Sequence, residues 1–216
     1  MLRRLIPSAV IAAFVWLTGA NSMWAGSITK ISQPSAYPPS TTLIDISGLA
    51  EGHGFTSISG GGLTVGFSTA MVKLTVPINW ATWNCPPATE SCTPPVLWSN
   101  GASAITMNLS SAVHVFGFEA QPNLSDVEPM MAIFFGTGGQ FLGDISLDVS
   151  GNAGAMLFAA SSSIPIDKVV FSDGAGNDFA IADVSFSQSL IPTPEPASIL
   201  LMGTSLIALG IRKLRD

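Results

Sequence analysis

Ala104-Ile-Thr-Met-Asn-Leu109 and, two residues on, Ala112-Val-His-Val-Phe-Gly-Phe118 set apolar side chains at alternate positions, the period of an extended strand with one face in a core. Outward from this pair the same period recurs. Leu63-Thr-Val-Gly-Phe67, Met71-Val-Lys-Leu-Thr-Val76 and Met130-Met-Ala-Ile-Phe-Phe135 carry it, as do Ile145-Ser-Leu-Asp-Val149, Met156-Leu-Phe-Ala159, Ile166-Asp-Lys-Val-Val-Phe171 and Phe179-Ala-Ile-Ala-Asp-Val-Ser-Phe186. Clusters of Gly, Pro, Asn and Ser separate the runs, and no long stretch between them has helical spacing. Eight or nine short strands at this spacing predict an all-β fold, a single β-sandwich of jelly-roll-like form over residues 26–188.

The two ends differ from this body. The chain has 216 residues, 47% hydrophobic and 10% charged, yet its long apolar runs stand only at the termini. With both ends set aside, roughly 165 residues remain, enough for one sizeable core. Of the eight basic residues, Arg3 and Arg4 belong to the first segment and Arg212, Lys213 and Arg215 to the last. The body keeps Lys30, Lys73 and Lys168 against about a dozen carboxylates, a surface that repels phosphate backbones and argues against nucleic-acid binding.

Met1-Leu-Arg-Arg4 is a basic start, residues 5–17 are apolar, and small residues follow at Ala20, Ser22 and Ala25. That layout predicts a secretory signal peptide over residues 1–25, read by the Sec export machinery, with cleavage after Ser22 or Ala25. At the other end, prolines 192, 194 and 196 prevent helix before Ala197. Residues 197–211 are then an apolar helix of about 22 Å, just short of the hydrocarbon core and hence a single transmembrane span with some local thinning. The basic cluster Arg212, Lys213 and Arg215 holds the terminus in the cytoplasm and leaves the body outside.

Pro194-Glu195-Pro196, the aliphatic helix and the basic end, in that order, closely resemble the PEP-CTERM sorting signal, here residues 189–216. The resemblance implies recognition by exosortase, a membrane-embedded transpeptidase-like protease that cuts at or near the Pro-Glu-Pro element. It also implies a Gram-negative bacterium that makes extracellular polysaccharide, with the body first anchored at the inner membrane and then released or transferred to the cell surface. Asp45-Ile-Ser-Gly-Leu49, residues 62–68, Val115-Phe-Gly-Phe-Glu119, residues 139–143 and the closing run 179–186 look like the body of many such proteins, which are similar to carbohydrate-binding-module jelly rolls. Those jelly rolls often hold a structural Ca²⁺ between first and last strands. The matching positions are Asp45 and Asp183, although Ser47 and Ala182 stand where the pattern carries further carboxylates.

Three other constellations bear on chemistry. Cys85 and Cys92, flanked by prolines, read as a short loop closed by a disulfide, with no nearby His or second Cys-x-x-Cys to make them a metal pair. Trp80, Trp83 and Trp98 gather around that loop and either stack on pyranose rings or pack over the sandwich edge. For catalysis there are only His53 and His114, no Gly-x-Ser-x-Gly elbow, and the carboxylates Glu119, Asp126 and Glu128 as the pair a glycosidase needs. Asp173-Gly-Ala-Gly-Asn-Asp178 lacks the ligands of a calcium loop and reads as a turn. The expectation is a non-catalytic surface or matrix protein without a cofactor, sorted by exosortase and associated with extracellular polysaccharide. A specific carbohydrate-binding module and a secreted hydrolase are the alternatives.

Overall fold

The computed structural model describes residues 28–189. The signal peptide read over 1–25, the Pro-Glu-Pro motif at 194–196, the span 197–211 and the basic end lie outside the described residues. Within them the body is all β: β1 (Ile28–Ile31), β2 (Thr42–Leu43), β3 (Gly54–Gly60), β4 (Leu63–Thr75), β5 (Pro95–Trp98), β6 (Ala104–Pro122), β7 (Val127–Gly136), β8 (Gln140–Ser150), β9 (Met156–Asp173) and β10 (Phe179–Ser187).

The strands form a sandwich because the long ones turn the corner between its layers. In the first layer β3, β4, β6, β9, β7 and β8 lie side by side, through residues 104–108 of β6 and 166–173 of β9. In the second layer β1 pairs with β9 at 159–162, β9 with β6 at 115–120, and β6 with β10, which also carries β2 and β5. β4 reaches this layer too, pairing with β5 through residues 72–75. All pairings are antiparallel.

Six of the runs read from sequence therefore fuse in pairs. Runs 63–67 and 71–76 belong to β4, 104–109 and 112–118 to β6, and 156–159 and 166–171 to β9. At each corner the register slips, between Asn108 and Val113 in β6 and between Phe55 and Ser57 opposite β4. In β9 the corner holds Pro165, which has no N–H to give to a ladder. Ser110, Ser111 and Pro165 are turn-forming residues, so the corners look like strand ends in sequence. β1, β2, β3 and β5 were not read: they are short, or, as in Gly54-Phe-Thr-Ser-Ile-Ser-Gly60, mostly Ser, Thr and Gly.

Between the layers lies the main core, built around phenylalanine. Phe116, Phe118, Phe134, Phe158, Phe171 and Phe179 are fully buried. Phe171 meets Phe118, Phe158 and Phe179 edge to face at 4.9, 4.9 and 4.8 Å, so one ring ties β6, β9 and β10 together. Phe171→Ala is expected to lower stability by about 3–5 kcal/mol. Equilibrium urea unfolding with the disulfide intact measures this, and a loss near that of a surface substitution would place the centre of the core elsewhere.

Candidate functional site

The outer face of the second layer is not open to solvent, and the most unusual side chains of the protein lie there. Along β6 the inward residues are Phe116, Phe118 and Ala120, which leaves Val115, Gly117, Glu119 and Gln121 facing outward. On β10 Phe179, Ile181, Val184 and Phe186 face the core, while Ala180 and Ala182 face out. These alanines make a shallow bed. Into it the connection from Val76 to Pro94 lays Trp80 and Trp83, which are only 6% and 4% exposed. The indoles thus pack over the sandwich with little of either ring left exposed. Trp98, on β5, is half-buried, and its Nε1–H donates to Asp178 at 2.6 Å.

Two polar residues on the sheet hold this covering segment. Trp83 Nε1–H donates to Glu119 Oε2 at 2.9 Å, and the Glu90 backbone N–H donates to Glu119 Oε1. Trp80 Nε1–H donates to Gln121 Oε1 at 2.9 Å, and Gln121 Nε2–H donates to Thr82 Oγ1 and to the Gly151 carbonyl. Cys85 and Cys92 are joined, with Cα atoms 4.3 Å apart, and close a short loop that contains Glu90. Both Glu119 and Gln121 are fully buried, a placement that a polar side chain tolerates only when its partners are present.

A second carboxyl stands beside Glu119. The ladder between β6 and β10 slips between Ala182 and Ser185, and Asp183 sits in that bulge with φ of 50°, a left-handed conformation that Asp tolerates better than branched residues. Burial and the neighbouring Asp183 push the Glu119 carboxyl up to about 8, against the pull of Trp83 and Glu90 N–H. Burial and then Glu90 push Asp183 up to about 6, and a hydrogen bond with Glu119 opposes the rise. The pair therefore keeps a proton at neutral pH, as two carboxyls in one dry site do. Above them lies Tyr37, whose hydroxyl is raised well above its ordinary value by burial, then by Glu90, Glu119 and Asp183. Tyr37 has this place because residue 117 is glycine: a Cβ there would collide with the Tyr37 hydroxyl and with Ala159.

The other residues singled out in the sequence are dispersed. Asp45 follows Ile44, whose N–H donates to the Val184 carbonyl at 2.8 Å, so it comes near the last strand. Its side chain, however, is exposed and accepts the Ser47 N–H at 2.8 Å, which lowers its carboxyl below the usual range. Of the two, Asp45 caps its own turn in solvent and Asp183 is buried against Glu119. Among the described residues no group of three or more His, Cys, Asp or Glu is arranged to hold a metal ion. Asp126 is exposed in the connection after β6 and Glu128 half-buried on β7, apart from Glu119 under its loop. His53 is exposed beside the Glu51 carbonyl, and His114 Nδ1 lies 2.9 Å from the Ser162 carbonyl. Asp173 accepts the Ala175 N–H in a turn, as read.

Known proteins bear on the tail and on the body separately. Residues 192–215 match the PEP-CTERM protein-sorting motif, which marks an exported protein sorted by exosortase. No curated protein matches the chain. Among solved structures, TmCBM61 in complex with β-1,4-galactotriose is similar at 13% identity and TM-score 0.38, over 60% of this chain and 90% of that one. The family 11 carbohydrate-binding module from Clostridium thermocellum has 10% identity and TM-score 0.34, over 76% and 100%. Arabinose-bound MgGH51 α-L-arabinofuranosidase has 14% identity and TM-score 0.34, over 78% of this chain and 27% of that one. The likeness is confined to the run of the strands.

The carboxyl pair has a measurable signature. Each group has a folded-state value above its unfolded one, near 4, so each favours the fold fully below that value and loses this contribution as pH rises toward 8. The Tm is expected to fall between pH 4.5 and 8, and Glu119→Gln, which keeps an acceptor for Trp83, is expected to flatten the slope. Thermal unfolding followed by circular dichroism across that range checks this. A Tm that rises toward pH 8 in the parent protein would mean that the pair ionises freely.

Proposed function

We propose that the chain is an exosortase substrate displayed at the cell surface or in the extracellular polysaccharide layer of a Gram-negative bacterium, and that its body is non-catalytic. The sorting motif at 192–215 is the observation that carries this reading. In it, residues 1–25 direct export through the Sec machinery, and residues 197–211 hold the precursor in the inner membrane with Arg212, Lys213 and Arg215 inside. Exosortase then cuts near Pro194-Glu195-Pro196. What is delivered is the sandwich, with an acidic surface and one disulfide suited to an oxidising compartment. The non-catalytic part rests on the dispersal of the ionisable residues: neither histidine is paired with a nucleophile, and the buried Glu119 carboxyl is occupied in holding a loop.

The mass of the mature protein, from native cells and from a strain without exosortase, tests the sorting. Loss of both termini only where exosortase is present is the expected result. Persistence of residues 197–216 in both strains would leave a plain membrane anchor in place of a sorting signal.

A further inference from the structure

Strand β7 is apolar on both of its faces. Its inward side chains Met130, Ala132 and Phe134 are fully buried in the main core. The alternate positions Val127, Pro129, Met131, Ile133 and Phe135 point the other way, to the outer face of the first layer. Val127 is 63% exposed, Pro129 is exposed, and the other three are half-buried. Neighbouring strands widen the stripe. Val170 of β9 stands opposite Ile133, and Phe141 of β8, 56% exposed, meets the Phe135 ring edge to face at 6.2 Å. A run apolar at successive positions is the pattern of a strand covered on both faces. On β10 that cover is the connection from Val76 to Pro94, whereas on β7 the outer side chains stay partly open. A contiguous apolar stripe left at the surface marks a place of contact.

Charge identifies the partner. On one side of the stripe, β8 sets Asp144 opposite Ile133 and Asp148 opposite Pro129, both exposed. On the other side, Lys168 of β9 stands opposite Phe135 and lies over its ring at 4.4 Å. A two-fold axis running along β7 in the plane of contact stacks β7 on β7 and lays β9 of each copy on β8 of the other. Lys168 of each copy then comes within reach of Phe141 and Asp144 of the other, so the face complements itself in sign. A neutral polysaccharide finds less here, because Val127, Pro129, Met131 and Ile133 offer no side-chain hydrogen bond to a hydroxyl. The ten residues of β7 at about 3.4 Å each, across three strands about 4.8 Å apart, give roughly 500 Å² per copy and about 1,000 Å² in all, the size of a reversible pair.

We infer that the outer face of β7, β8 and β9 binds a second copy of this chain, as a two-fold dimer with Met131, Ile133 and Phe135 at its centre and Lys168 against Asp144 on both flanks. The inference concerns the body and does not rest on the sorting reading of the tail.

Sedimentation velocity of the full chain in mild detergent tests it over protein concentrations from about 1 to 500 µM. The parent is expected to dimerise with a Kd on the order of 10 µM. Ile133→Glu, at the centre of the stripe, is expected to weaken pairing by about tenfold or more. Lys168→Asp and Asp144→Lys each set like charges together across the contact and are expected to weaken it by about fivefold or more. An equimolar mixture of these two variants restores both contacts and is expected to pair as the parent does, a recombination that only a reciprocal contact of residues 144 and 168 produces. Unchanged near-ultraviolet circular dichroism shows that the variants keep their fold. A parent still monomeric at about 500 µM, a dimer that Ile133→Glu leaves intact, or charge variants that do not recombine would overturn the inference.

Discussion

Glu119 accepts the indole N–H of Trp83 through one oxygen and the backbone N–H of Glu90 through the other, and these two bonds help hold the cover over β10. Together with the bonds of Gln121 to Trp80 and Thr82 they keep the connection from Val76 to Pro94 on the sheet, since Ala180 and Ala182 beneath offer a smooth bed and no knob. With them, β10 is buried on both faces, and Trp80, Trp83 and the disulfide form a second small core outside the main one. The arrangement has a cost. A carboxyl placed in so dry a site, with Asp183 beside it, gives up its charge, and the loop rests on a neutral acid whose state follows the pH.

Strand content was legible because alternation reports the face that meets the core, and Ile105-Thr-Met107 or Met130-Met-Ala132 alternate cleanly. The corners were not legible. Ser110-Ser111 and Pro165 are residues that also end strands, and nothing local distinguishes a strand that stops from one that bends and continues in the other layer. Phe179-Ala-Ile-Ala182 shows the same limit in another form. It was read as one strand, but its small residues are small because indoles lie on them, a long-range fact that the strand period does not carry.

The site divides along similar lines. The pairing of Cys85 with Cys92 was readable from seven-residue spacing and flanking prolines, and the structure forms it. The tryptophans were correctly placed around that loop, yet only a buried acceptor for each indole N–H decides between cover and exposed platform. Glu119 stood out merely as one carboxylate among several, and Tyr37 not at all. Their meeting with Asp183 joins three segments far apart in the chain and depends on a bulge and on a glycine at 117. A tyrosine within Ser-Ala-Tyr-Pro-Pro and a glycine between two phenylalanines hold no hint of each other in sequence.

Because β4, β6 and β9 each supply strands to both layers, neither layer is a complete sheet without the other. Separating the layers means breaking the three long strands at their corners, so there is no half-open form in which one sheet survives alone. For an exported protein, beyond the reach of cytoplasmic chaperones, such interlocking leaves a protease little to attack between the intact domain and the fully unravelled chain.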